Sequence, residues 1–254
     1  MEQFLLALCG IPSSGKTTLA RAIKNHLMKE IKVEIVSTDR WRDEEFHSDF
    51  KPEMEHKVRR EALEETRRLV RSGMSVIHDD TNYYASMRHE LYTIAKQNKI
   101  AFGVVHVSTP IEHATQWNVK REIPVPDGVI EKIAGRLDVP GSKYAWDKPI
   151  ATYNLMEDDI DEAGLEIVER LDSLIGISSE SHKSDKSMEN LLDTITRQVV
   201  KHFLDANPAM RRNPLVSKER KRLLRIAKKQ GLSPLESEQQ LEAMLLELGS
   251  REKR

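Results

Sequence analysis

The sequence predicts an α/β fold, a parallel sheet with helices on both faces, followed by an all-helical C-terminal domain. Apolar strand-like runs alternate with amphipathic helical stretches up to about Leu174, a polar stretch follows, and beyond it helical patterns continue with no return of a strand pattern. The first run, Phe4 to Cys9, is too short for a secretory hydrophobic region and lacks a basic flank, so it reads as a strand. A helix over Thr17 to Glu30 leads to a second strand, Val33 to Ser37. A helix over Pro52 to Ser72 leads to a third, Ser75 to His78. Ser86 to Gln97 is helical before the strand Ala101 to Val107. Helices over Ile111 to Lys120 and Asp127 to Leu137 precede the last strand, Thr152 to Leu155, and Ala163 to Leu174 closes the unit. Strand and helix in alternation give right-handed crossovers and hence parallel pairing.

Residues 176–187 are rich in Ser, Lys and acidic groups without an apolar face, which separates a domain over 1–175 from a helical one over 188–254. In the latter, helices are predicted over Met188 to Leu204, Ser217 to Gln230 and Pro234 to Leu248. The last is marked by Ser233 as N-cap, Pro234 at the first position and Glu236 completing a capping box.

Composition narrows the class. The 254 residues are 39% hydrophobic and 32% charged, within the range of a soluble protein with an adequate core. The single cysteine, Cys9, excludes a disulfide framework and a thiolate metal cluster and suits a reducing cytoplasm. No window reaches the roughly 20 apolar residues of a membrane helix. The net charge of −1 is unevenly spread: residues 197–230 hold 11 Lys and Arg against 2 Asp and Glu, which leaves the rest of the chain near −10.

The chemistry begins at Gly10-Ile11-Pro12-Ser13-Ser14-Gly15-Lys16-Thr17, a complete phosphate-binding loop. Its glycines let backbone N–H groups turn inward, Lys16 reaches terminal phosphates, and Thr17 suits Mg²⁺. The pattern arises often by chance; here it follows a predicted strand and opens a helix, as the chemistry requires. Gly10, Pro12, Ser13, Ser14, Gly15, Lys16, Thr17 and Thr18 are therefore candidate ATP contacts, and the fold expectation becomes a P-loop kinase-type sheet. Asp79 and Asp80 end the third strand on the phosphate side, where Asp79 can hold Mg²⁺; a pair capping the next helix is the alternative. Asp39 follows the second strand and can take the proton of an attacking hydroxyl, while Arg42 can steady charge on the acceptor or the transferred phosphate. A helix cap and a surface charge are their plainer readings. Arg121, between the fourth strand and a Pro-rich turn, is the candidate lid arginine. Tyr83 and Arg88, just beyond the sheet edge, suit an acceptor pocket; Tyr83 equally suits packing, and Arg88 a helix surface.

These residues resemble the archaeal-type O-phosphoseryl-tRNA(Sec) kinases. The likeness rests on Gly10 to Thr17, Thr38-Asp39 with Arg42, Asp79 to Tyr84 with Ser86-Met87-Arg88, Asn118 with Arg121, and Pro140 to Pro149. It implies Mg²⁺-ATP-dependent transfer of the γ-phosphate to the serine hydroxyl of seryl-tRNA(Sec), with Asp39 at the catalytic acidic position and Arg42 as an active-site arginine. The family lid usually offers two arginines four residues apart; here the earlier position is Trp117. The related Elongator-associated ATPases carry similar segments and imply tRNA-stimulated hydrolysis in a regulatory role. A small-molecule kinase of the same superfamily is a third reading.

The basic tail fits tRNA as partner: Arg197, Arg211, Arg212, Lys218, Arg220, Lys221, Arg222 and Arg225 can follow a phosphate backbone, although charge runs also occur as solvated helix faces. A homodimer stays open, and a membrane partner is not expected.

Overall fold

The computed structural model describes residues 1–28, 31–42, 52–126, 128–174, 176, 184–230, 232 and 234–251. These divide into two compact units, Met1–Ser179 and Glu180–Arg254.

The first unit is the predicted α/β sandwich. Its strands are β1 (Phe4–Cys9), β2 (Val33–Ser37), β3 (Ser75–Asp79), β4 (Ala101–Val107) and β5 (Ala151–Tyr153). Its helices are α1 (Lys16–Leu27), α2 (Pro52–Arg71), α3 (Ala85–Asn98), α4 (Ile111–Asn118), α5 (Val129–Ala134) and α6 (Ile160–Asp172). All strand pairs are parallel, in the order β2-β3-β1-β4-β5. Every residue of β1 is buried, as expected of a central strand covered on both faces.

Phe4, Leu6 and Leu8 point to one face, where Leu19, Ile23 and Leu27 of α1 and Ile167 and Leu171 of α6 close the main core. Helices α1 and α6 approach closely because Gly164 faces Ala22; a Cβ on Gly164 would lie 3.2 Å from that of Ala22. On the opposite face α2 packs on β2 and β3, and α3 on β1 and β4. The strand order places the ends of β1, β2 and β3 side by side, which gathers the phosphate loop, Asp39 and Asp79 at one edge.

Several boundaries differ from the sequence reading. β3 runs one residue further because Asp79 pairs in register with Ser37. β5 starts earlier, at Ala151, and leaves Leu155 to enter the core instead of the sheet. α6 begins at Ile160, since the Asp159 carboxylate accepts bonds from the N–H groups of Asp161 and Glu162. α5 is shorter than expected, starting after Gly128 at φ 75°; Asp127, its expected first residue, lies outside the described residues.

The second unit contains α7 (Ser184–Ala206), a 3₁₀ turn (Pro208–Arg212), α8 (Pro214–Gln230) and α9 (Pro234–Arg251). Residues 184–187, expected in the connecting stretch, are already helical; 177–183 and the expected cap Ser233 lie outside the described residues. Leu192, Ile195, Val199 and Phe203 of α7 recur at helical spacing and are buried along with Val216, Leu223 and Ala227 of α8 and Leu241 and Leu245 of α9.

Candidate active site

The phosphate loop joins β1 to α1. Gly10 is required by space: a Cβ there would lie 2.5 Å from the Val107 carbonyl oxygen. Ser13 and Gly15 adopt positive φ, 59° and 95°, the kind of backbone turn from which successive N–H groups can form an anion-binding concavity ahead of the α1 N-terminus. The loop is tied down from three sides. The Gly10 N–H donates to the Thr81 carbonyl at 3.0 Å, Thr109 Oγ1 to the Ser14 carbonyl at 2.9 Å, and Ser13 Oγ to Asn118 Oδ1 at 3.0 Å. Pro12 and Ser14 are buried, whereas Thr18 is exposed on α1.

Lys16 is buried, and its ammonium donates to the Ile11 carbonyl at 2.6 Å. Burial lowers its pKa, against the pull of Asp79 and Asp80. Thr17 Oγ1 donates to Asp79 Oδ2 at 2.7 Å. Burial raises the Asp79 pKa, opposed by Lys16 and by the hydroxyls of Thr17 and Ser37. Among the described residues no group of three or more His, Cys, Asp and Glu side chains is placed to cage a metal. One hydroxyl beside one carboxylate is instead a pair of ligands of the kind that could hold Mg²⁺, an ion that is usually bound through few protein oxygens. Asp80 turns the other way. Its Oδ1 accepts from Thr38 Oγ1 at 3.1 Å and from the Thr81 N–H at 2.8 Å. Burial pushes its pKa up, but Arg42, Arg59, His78 and the Thr81 N–H together leave it lowered.

Asp39 lies in a 3₁₀ turn, Thr38–Trp41, directly after β2. Its Oδ1 accepts from Arg42 Nη1 at 2.7 Å and its Oδ2 from Arg121 Nη2 at 3.2 Å. Two arginines from different elements thus bracket one half-exposed carboxylate. Arg121 is carried on the turn after α4, and Asn118 holds that turn to the phosphate loop: its Oδ1 accepts from the Val125 N–H as well as from Ser13. Trp117, where the resemblance implied a second arginine, packs against the main core, 3.6 Å from where a Cβ on Gly15 would lie.

Tyr83 is half-buried and stacks obliquely on buried Tyr84, with ring centroids 4.2 Å apart. Arg88 corrects the sequence reading, which placed it at an acceptor or on the helix surface. It is fully buried, and its Nε and Nη2 donate to Asp147 Oδ2 at 3.1 and 2.6 Å while Nη1 donates to the Asn82 carbonyl at 2.8 Å. The pair fastens the segment around Asp147 to α3 and to the loop that holds Gly10. Lys143 likewise pairs with Asp138 at 2.5 Å, and Asp138 Oδ2 accepts from the Ala85 N–H that starts α3.

In the second unit, Lys218, Lys221, Arg222 and Arg225 are exposed and recur at helical spacing, so they form one stripe on α8. Arg220 is set apart from the stripe: it is partly buried and ion-paired with Asp193 of α7, so it ties the two helices together. Arg197 pairs with Asp193 at 2.8 Å and Arg211 with Asp205 at 3.3 Å, both exposed. The Arg212 side chain lies outside the described residues. Sequence reading missed Glu55, which grips Arg42, because nothing local to α2 signals a partner 13 residues away.

Comparison with known proteins places this architecture. The family model described as chromatin associated protein KTI12 matches residues 4–240. The chain belongs to the KTI12 family. It is 32% identical over 238 residues to the L-seryl-tRNA(Sec) kinase of Methanococcus maripaludis, covering 89% of this chain and 90% of that one. It is 30% identical over 164 residues to protein kti12 of Schizosaccharomyces pombe, but that match covers 61% of this chain and 58% of the yeast protein. This KTI12-family chain thus spans nearly all of the archaeal relative and little over half of the yeast one. Among solved structures, Chaetomium thermophilum Kti12 with ADP-AlF3 superposes with a TM-score of 0.55 at 22% identity, over 68% of this chain and all of that one. Mycobacterium tuberculosis APS kinase CysC with AMPPNP and APS gives 0.50 at 20%, over 68% and 99%. These two likenesses establish the kinase-type P-loop fold. No helix among the described residues is long and apolar enough to cross a membrane.

Proposed function

We propose that the protein is a Mg²⁺-ATP-dependent kinase that phosphorylates the serine hydroxyl of seryl-tRNA(Sec). The observation that carries this reading is Asp39, held between Arg42 and Arg121 beside a phosphate loop whose Thr17 meets Asp79. A donor half and an acceptor half share one sheet edge. The loop N–H groups and Lys16 would hold the ATP phosphates, and Thr17 with Asp79 would hold Mg²⁺, which would supply charge neutralisation there. The serine oxygen forms its bond to the γ-phosphorus as the bridging bond to ADP breaks, and the hydroxyl proton passes to Asp39. The near full-length match to an L-seryl-tRNA(Sec) kinase supports this acceptor. Transfer of labelled γ-phosphate to seryl-tRNA(Sec), compared with seryl-tRNA(Ser) and free serine, tests it; no transfer to any charged tRNA overturns it.

The family match over residues 4–240 and the likeness to protein kti12 favour a second reading, an Elongator-associated ATPase that hydrolyses ATP on binding tRNA. It predicts tRNA-stimulated phosphate release with no phosphorylated tRNA.

Both readings use the α8 stripe as an RNA-facing surface. Removing its four charges together, as K218A/K221A/R222A/R225A, is expected to weaken tRNA binding at low salt and to reduce the slope of log K against log salt by about 3. Filter binding across a salt series measures this. An unchanged slope would place the RNA elsewhere.

A further inference from the structure

We infer that Arg59 of α2 binds a phosphodiester of the RNA 3′ end, beside the serine ester, and so selects an acceptor carried on RNA; this rests on the phosphotransfer reading above. Arg59 is only 8% exposed, yet among the described residues it makes no hydrogen bond and no ion pair. Such a charge is costly to bury unless it meets an anion. Its place on α2 shows where that anion would lie. Glu55, Arg59 and Thr66 share one face of the helix. One turn before Arg59, Glu55 accepts from Arg42 Nη2 at 2.5 Å; beyond it, Thr66 Oγ1 lies 3.0 Å from His78 Nδ1 on β3. Arg59 is therefore held near the end of β3, between the Arg42 contact and the His78 contact.

The neighbouring carboxylate does not supply that anion. Asp80 Oδ1 accepts from Thr38 Oγ1 at 3.1 Å and from the Thr81 N–H at 2.8 Å, and it lies 3.8 Å from Arg42 Nη2. Arg59 acts on Asp80 through space, helping to lower its pKa, without pairing with it. ATP does not supply it either. Side chains alternate along β3, so His78 and Asp80 face α2 while Asp79 faces the other side, where Thr17 of α1 meets it. The ATP phosphates belong with Lys16, Thr17 and the loop, whereas Arg59 stands on the side where Glu55 holds Arg42. The second substrate brings a suitable group. The ribose that carries the serine ester is joined to the preceding nucleotide by a phosphodiester, and a guanidinium fork matches a phosphate. Free serine has no such group.

Arg59→Met in the full chain is expected to weaken binding of tRNA(Sec) about tenfold and to reduce the slope of log K against log salt by about 1, the signature of one lost phosphate contact. With seryl-tRNA(Sec) as substrate, KM for the RNA should rise by about the same factor while KM for ATP holds. Transcripts lacking the 3′-terminal CCA should bind wild type and variant alike, because the phosphate that Arg59 reads is gone. R59M should also melt no lower than wild type, since an unpaired buried charge has been removed; loss of an internal ion pair would make it melt lower. Arg59→Lys keeps the charge without the fork, so it should keep the salt slope and lose several-fold in affinity, and it carries the test if the methionine variant does not fold. An unchanged salt slope in R59M, equal losses on intact and truncated RNA, or wild-type affinity in R59K overturns the inference. Absence of transfer in the wild type, with tRNA still bound, removes the kinase reading instead, and the binding comparison then decides the role of Arg59 alone.

Discussion

Replacing Asp39 by asparagine is expected to lower phosphate transfer by about three orders of magnitude, the upper range for loss of a positioned general base, while ATP binding persists. The two halves of this result have separate causes. Asparagine has nearly the shape of aspartate and still accepts one hydrogen bond, so the turn after β2 should hold. It cannot accept the serine proton. The substitution also removes the anion that Arg42 and Arg121 share, at 2.7 and 3.2 Å, so the site carries one negative charge less while Arg42 keeps its pairing with Glu55. Nucleotide affinity should therefore stay level or rise. Single-turnover transfer measured beside ATP titration separates the effects. Turnover within about threefold of wild type would exclude a base role, given the size of such contributions. Weakened ATP binding would instead place Asp39 in the donor half.

Much of this site was legible in the sequence because its parts are local. Gly10 to Thr17 is a contiguous motif flanked by a strand and a helix, and the structure keeps both flanks. The ends of β2 and β3 could be read from apolar runs, and parallel order then sets Asp39 and Asp79 beside the loop. What could not be read is pairing at a distance. Arg42 and Glu55 are joined across a segment without apolar periodicity, and Arg88 and Asp147 are separated by 59 residues. A charged side chain in a helical pattern reads as solvated until its partner is known. Arg88 and Arg220 show how that inference fails: both sit among polar neighbours in sequence, yet one is fully buried and the other ties two helices. Lys218 and Arg222, on the same helix as Arg220, do face outward, and only the packing of α7 on α8 distinguishes them.

The buried pair also carries the largest stability effect expected in the first unit. Arg88 and Asp147 have side-chain exposures of 1% and 2%, so neither can turn to water if its partner is removed. Arg88→Ala strands a carboxylate, and Asp147→Ala strands a guanidinium; each is expected to cost about 3–5 kcal/mol, the range for an orphaned buried charge. For a unit of this size that is a fall in melting temperature of roughly 10 °C. Arg88→Lys should recover little, because an ammonium cannot span Asp147 and the Asn82 carbonyl with one rigid plane. Replacing both partners by apolar residues, as R88M/D147L, should recover much of the loss, since desolvation offsets most of the attraction within such a pair. That recovery would not extend to the loop. Arg88 holds the carbonyl of Asn82, a residue at φ 43° whose side chain donates to the Leu8 carbonyl, and the neighbouring Thr81 carbonyl receives the Gly10 N–H. The double variant should therefore melt close to wild type yet bind ATP more weakly, with the phosphate loop less firmly held at Gly10. Calorimetry and nucleotide titration on the same samples check the two outcomes. Full recovery of both would reduce the pair to a packing element, and recovery of neither would mean that the segment around Asp147 requires the charge to fold.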